Sequence, residues 1–333
     1  MTRRPHVRCP RSTSCVDALP GRTRRRAVLG RWTSLIAVLA AAAACVVAGA
    51  GGCAWDAQTP AVATEFDTDD APIMWPGNPR PDWYHILTVL EELRARPPLR
   101  PLVVLFAGSS GRESTVSDET WAAQVRELGG PAVVARNLSS RNKTFAHDLD
   151  LVRLLPRTGT PTLVFIGVNL GRFTQRSHKA GPGPATVPDH VEYTYAQHAY
   201  AGSAALSPKE KRLRVEQWVD ERLSVFDAHV ERNTATLAEL VRVCLARGCQ
   251  PVLLELPRDT EAIGDLWDDP VARYQRGCTE IAEEYGIPYV DFVDDAGLAS
   301  TDFYDPWHLV ESGYVKWQRL LARTTSRLLS EGP

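Results

Sequence analysis

The stretch VVLFAGSSGRES, Val103 to Ser114, decides how the rest of the chain is read. A continuous apolar run from Leu102 to Ala107 predicts a strand buried on both faces, and the small residues after it predict a sharp turn. Gly108 and Gly111 let the backbone turn and come close to a neighbour or a ligand. A serine just past the carboxyl end of a parallel strand stands where open α/β sheets present their chemistry. Register with Gly108 favours Ser110 for that place, with Ser109 as the alternative. A serine hydroxyl is a weak nucleophile alone, so the reading requires a base, a group that orients the base, and donors for an oxyanion.

Working outward, apolar runs recur at Ala132 to Leu138, Thr162 to Val168, Val252 to Leu256 and Tyr289 to Phe292. Helical spacing of apolar residues fills Asp82 to Arg96, Asp118 to Leu128, Thr144 to Leu155, Val215 to Arg247, Pro270 to Tyr285 and Ser312 to Leu329. Alternating strands and helices are the pattern of a doubly wound parallel sheet. The expected fold class is therefore α/β, a three-layer sandwich with five parallel strands in flavodoxin-like order. One segment breaks the rhythm. About forty residues, 173–214, stand where a short connection would do, including AGPGPATVP and the aromatic VEYTYAQHAYAG. Such excursions at the carboxyl edge are usually lids or binding loops. Tyr193, Tyr195, His198 and Tyr200 would either stack on a sugar or apolar chain, or pack on the protein's own aromatics.

The composition fits a globular protein, and its charge is uneven. Residues 1–53 hold nine Arg and one acid, which leaves 29 basic against 39 acidic residues downstream, a balance of about −10. That excess of acid argues against a nucleic-acid partner. The N-terminus has the basic, apolar, small-residue order of an export signal: Arg24 to Arg26, then Leu35 to Val47, then Ala48 to Gly52 and Cys53. Residues 1–53 are expected to be an export signal or membrane anchor, 54–80 a flexible linker, and 81–333 the folded domain. Cleavage, lipidation at Cys53 and retention as an anchor stay open as alternatives, and each implies an extracytoplasmic protein. In that setting disulfides persist. Gly248 reads as the left-handed residue after a helix, which puts Cys244 and Cys249 at the two touching positions of a Schellman cap. A Cys244–Cys249 disulfide is expected, the alternative being small buried thiols. No His accompanies these cysteines at a ligand spacing, so no metal is expected.

Three polar stretches fall at carboxyl ends of expected strands: RNLSSRNKT, FIGVNLGRF and DFYDPWHLVESGYVKW. In DPWH, Asp305 can bond one imidazole nitrogen of His308 and leave the other to take a serine proton. Asn169 offers an uncharged side-chain N–H, suited to a developing oxyanion. Each has a plain structural reading when taken alone. Arg112 and Glu113 are read as a salt bridge bracing the turn. A G-x-S-x-G elbow does not fit, because Gly111 comes one place early; GSSGRES also lacks the length and the lysine of a P-loop.

Taken together, GSS after the first strand, GVN after the third and DPWH before the last helix resemble the SGNH hydrolase family, also called GDSL-type esterases, over roughly 101–333. The resemblance implies Ser110 as nucleophile, His308 as base and Asp305 as its orienter. It also implies an oxyanion hole made by the Ser110 N–H, a block-two backbone N–H and the Asn169 side chain, with no cofactor. Lining up N-L-S-S-R-N-K-T puts Asn142 where the family has glycine, and Asn tolerates left-handed geometry better than other non-glycine residues. The family's block-one Asp is absent. The implied activity is hydrolysis of carboxylic esters, O-acetyl groups of extracytoplasmic glycans being the leading substrate, with small-molecule esters also open. An O-acyltransferase using the same triad and a non-catalytic binding module are the alternatives.

Overall fold

The computed structural model describes residues 65–66, 80–175, 184–186, 198–200 and 202–331. Residues 1–53, read as an export signal or anchor, together with Tyr193, Tyr195 and most of 54–80, lie outside the described residues. Five strands form the central sheet: β1 Leu102–Phe106, β2 Val134–Asn137, β3 Thr162–Val168, β4 Gln250–Glu255 and β5 Tyr289–Val290. All pair in parallel, in the order β2-β1-β3-β4-β5, the expected flavodoxin-like order.

The apolar run of β1 is explained by its two covered faces. Leu102, Val104 and Phe106 join one cluster with residues of α1 (Arg80–Ala95), α4 (Phe145–Leu154), α6 (Pro208–Ala246), α7 (Thr260–Ile263) and α8 (Asp268–Tyr285). Val103, Leu105 and Ala107 join the other, with α3 (Asp118–Glu127) and α9 (Glu311–Glu331). Side chains alternate between faces along a strand, so burying both faces requires every residue to be apolar.

Two boundaries differ from expectation. β5 ends at Val290, and α6 begins at Pro208, seven residues before Val215. Ser207 caps α6: its hydroxyl accepts from the Glu210 N–H at 3.3 Å, the Glu210 carboxylate accepts from the Ser207 N–H at 2.9 Å, and Pro208 stands in the first turn. The excursion is shorter than expected by those residues. Glu65–Phe66, inside the segment expected to be a linker, forms a short antiparallel ladder with Pro184–Thr186.

At the other end of α6 the Schellman geometry is present. Gly248 has φ +76°, the Cys249 N–H donates to the Cys244 carbonyl at 2.9 Å, and the Gly248 N–H donates to the Leu245 carbonyl at 2.9 Å. The expected disulfide is not there: Cys244 and Cys249 are free buried thiols, as is Cys278. The motif joins the two residues through their backbones, while the thiols sit in the apolar cluster as small hydrophobes. Burial pushes the Cys244 thiol well above its ordinary range and Cys249 up to about 11.

Candidate active site

β1 ends at Phe106 and the chain passes through Ala107 and Gly108 into a single helical turn, α2 (Ser109–Arg112). Gly111 makes this turn possible. A Cβ there would lie 2.3 Å from the Ala107 Cβ and 3.0 Å from the Ser139 Oγ, so no larger residue fits without moving backbone. Arg112 pairs with Glu113 at 2.9 Å and with Asp82 of α1 at 3.0 Å, and all three are buried. The Arg112–Glu113 bridge braces the turn as expected, and Asp82 extends it.

Asp305 and His308 come from a small hairpin, β6 (Phe303–Asp305) and β7 (His308–Leu309), just before α9. Both Asp305 oxygens lie within reach of the His308 Nδ1, Oδ1 at 3.0 Å and Oδ2 at 2.9 Å. Oδ1 also accepts the backbone N–H groups of Trp307 at 3.1 Å and His308 at 3.0 Å. Burial works against ionisation of Asp305, but the His308 hydrogen bond and charge, with these N–H donors, hold its carboxyl below the usual range. The carboxylate therefore stays charged and fixes the imidazole with Nε2 facing the turn.

Nε2 meets Ser109, not Ser110. Its distance to the Ser109 Oγ is 2.9 Å. The imidazole thus reaches the serine beside the one that register with the glycine pointed to. The physical reason is where the helix begins: Gly108 is the N-cap, so Ser109 is the first helical residue and the next side chain is rotated by about 100°. Ser109 faces the hairpin. Ser110 is turned inward, 2% exposed, and its Oγ accepts from the Asn169 Nδ2 at 3.1 Å.

Asn169 follows β3 and caps α5 (Leu170–Phe173), its Oδ1 accepting from the Arg172 N–H at 3.1 Å. That bond orients the amide so that Nδ2 points at the serine turn. Asn142 is an exposed residue in left-handed backbone with φ +55°. A buried charge cluster underlies these loops. Asp148 of α4 pairs with Lys143 at 2.9 Å and with the Arg172 guanidinium, and the Arg172 Nη1 donates to the Gly167 carbonyl at 2.7 Å. Lys143 also donates to the Leu138 carbonyl. Burial pushes the Lys143 ammonium down to about 8, with Asp148 opposing and Arg172 reinforcing that shift. One carboxylate thus ties the loop after β2 to the loop after β3.

Two of the aromatics singled out from the sequence, Tyr200 and His198, come in beside the Asp305–His308 pair, and so does Arg214, which sequence reasoning missed. Tyr200 stacks on Tyr304 at 4.3 Å between ring centroids and lies 4.9 Å from the His308 ring; His198 stacks on Tyr314 at 4.4 Å. These two aromatics therefore pack on the protein's own rings. Arg214, on α6, reaches the Asp305 Oδ2 at 3.3 Å. Beside Asn169 a small cavity is walled by Leu170, Val271, Tyr274 and the rings of Trp267 and Trp307. Among the described residues no group of three or more His, Cys, Asp or Glu side chains is placed to hold a metal ion, and no helix is long and apolar enough to cross a membrane.

No protein-family model and no curated protein sequence matches the chain. It is similar to several solved structures. A lipase/acylhydrolase from Enterococcus faecalis is 11% identical with a TM-score of 0.39, over 69% of this chain and 96% of that one. A lipolytic G-D-S-L family protein from Veillonella parvula is 13% identical with a TM-score of 0.41, over 68% and 100%. An acetylxylan esterase from Geobacillus stearothermophilus is 14% identical with a TM-score of 0.41, over 67% and 92%. Likeness at this identity assigns no role to any side chain, and the roles below rest on the geometry of the chain itself.

Proposed function

We propose that this chain is a serine esterase of the SGNH type, with Ser109 as nucleophile, His308 as general base and acid, and Asp305 as the group that orients the imidazole. The observation that carries the reading is the relay from the Asp305 carboxylate through the two His308 nitrogens to the Ser109 Oγ, each link at 2.9 Å. This relay joins residues 199 positions apart in sequence. His308 Nε2 takes the Ser109 proton as Oγ bonds the ester carbonyl carbon. The carbonyl π electrons move to oxygen, which is held by the Ser109 and Asn142 N–H groups and by the Asn169 Nδ2. The imidazolium then gives its proton to the departing alkoxide, leaving an acyl-enzyme. Water, deprotonated by the same nitrogen, releases the acid and restores the serine. Asp305 stays ionised throughout and stabilises the imidazolium.

The substrate class we assign is a short acyl ester, with O-acetyl groups of a glycan outside the cytoplasm as the first candidate. The small cavity next to Asn169, which Pro257 and Arg258 line together with the apolar side chains, favours a short acyl group over a long one. The test is turnover of p-nitrophenyl acetate by the full chain and by Ser109→Ala and Ser110→Ala. Ser109→Ala is expected to lose turnover by at least about 10³-fold, as triad removals do, while Ser110→Ala keeps measurable turnover. The opposite order would move the nucleophile to Ser110. No turnover with wild-type protein, even with acetylated oligosaccharides, would remove the esterase reading.

A further inference from the structure

The segment that enters the site at residue 198 and continues into α6 is built as a strap over the acid–base hairpin. Tyr200 covers the His308 ring and stacks on Tyr304, and the Leu206 N–H donates to the Tyr304 carbonyl at 2.9 Å. One turn into α6, Lys211 is fully buried and pairs with Asp259 at 2.9 Å, and its ammonium also donates to the Ser300 carbonyl. Another turn on, the Arg214 guanidinium lies 5.8 Å from the centroid of the Tyr304 ring, with Nη1 3.3 Å from the Asp305 Oδ2. The oxygen that Arg214 meets is also within 2.9 Å of the His308 Nδ1. Oδ1 is already engaged by two backbone N–H groups. Arg214 thus reaches the carboxylate on the oxygen the backbone leaves free, and it arrives on a helix anchored by a buried ion pair.

We infer that Arg214 is a positioning residue for the Asp305–His308 pair, holding the carboxylate in the imidazole plane and setting the basicity of His308. The inference rests on the esterase reading for its kinetic consequence, though its electrostatic consequence does not depend on any substrate. A cation next to the imidazole disfavours the imidazolium, and sharing Oδ2 weakens the hydrogen bond that would stabilise it. Both effects act against the protonated imidazole, so removing the guanidinium should favour it. Among the described residues, the other titratable groups beside this ring are Asp305 of its own hairpin and Tyr200 of the strap, which in turn stacks on Tyr304. Glu113 after α2 and Arg141 after β2 act on Tyr200 at longer range. Among these, Arg214 is the cation in hydrogen-bond range of the carboxylate.

The test compares wild-type full chain with Arg214→Gln and Arg214→Lys. The His308 midpoint is read directly from its imidazole NMR signal against pH, assigned by its absence in His308→Gln. In parallel, kcat and KM for p-nitrophenyl acetate are measured across the same range. With the guanidinium half exposed and several ångströms from the ring, Arg214→Gln is expected to raise the midpoint by about half to one pH unit. The acid limb of kcat/KM should move with it, kcat should fall, and KM should stay nearly constant. Arg214→Lys, which keeps the charge, is expected to move the midpoint less than half as far. A midpoint within 0.2 unit of wild type in Arg214→Gln, or an equal shift in Arg214→Lys, would overturn the inference. An NMR shift in a protein with no ester turnover would leave the inference standing and remove the esterase reading instead.

Discussion

Replacing Asn169 separates two jobs that one side chain performs. Its Oδ1 caps α5 by accepting the Arg172 N–H at 3.1 Å, and its Nδ2 donates into the serine turn, to the Ser110 Oγ, at 3.1 Å. Serine at 169 keeps an oxygen able to cap but has nothing long enough to replace Nδ2, whereas alanine removes both. Loss of one oxyanion donor costs about 2.7–4 kcal/mol in the transition state, or about 10²- to 10³-fold in kcat. Loss of an N-cap costs about 1 kcal/mol of stability, about 2–4 °C in melting temperature for a domain of this size. Asn169→Ser is therefore expected to melt with the wild type yet lose about 10²- to 10³-fold in kcat. Asn169→Ala should lose as much activity and melt lower as well. The assay is p-nitrophenyl acetate turnover beside thermal melts on the same preparations. A folded Asn169→Ser that keeps kcat within about threefold would refute the oxyanion assignment, because nothing else in the account requires Nδ2.

Three further expectations follow from buried groups. Asp148 neutralises two buried cations, Lys143 and Arg172, so Asp148→Asn should destabilise the fold by about 3–5 kcal/mol in urea unfolding; a loss under about 1 kcal/mol would mean the cluster is not what joins the two loops. Glu255, fully buried and bonded by Tyr274, Tyr289 and Arg258, has its carboxyl pushed up to about 7 by burial. The unfolded chain releases that proton near pH 4.5, so stability contributed by Glu255 falls as pH rises from about 4.5 to 7; Glu255→Gln should flatten this slope in urea titrations, and an unchanged slope would contradict it. Cys244, Cys249 and Cys278 should resist iodoacetamide in the native protein and react after denaturation without reductant, as read by peptide mass mapping; a requirement for reductant at Cys244 and Cys249 would restore the disulfide.

What the sequence made legible was what burial dictates. The runs at 102–107 and 162–168 are apolar throughout because helices cover both faces of the sheet, and their alternation with helices led directly to the observed strand order. The left-handed backbone at Asn142 was also legible, since Asn adopts it more readily than other non-glycine residues. The choice between Ser109 and Ser110 was not. Two identical side chains carry no compositional signal, and the start of a helical turn at Gly108 decides which one meets the imidazole. The start of α6 could have been found from Ser207-Pro208-Lys209-Glu210, a capping box with proline in the first turn. Arg214 could not, because on its own helix it is an ordinary exposed position and its partner is 91 residues away. The Schellman cap was readable from Gly248, but backbone proximity of two cysteines does not determine whether their sulfurs join.

The most direct test of the account is to find which oxygen attacks. The full chain would be treated with an ethyl p-nitrophenyl alkylphosphonate, digested, and the modified residue located by fragmentation mass spectrometry. The account predicts a single phosphonyl adduct on the Ser109 Oγ, absent in His308→Gln. An adduct on Ser110, or labelling of Ser109 that persists without the imidazole, would contradict it.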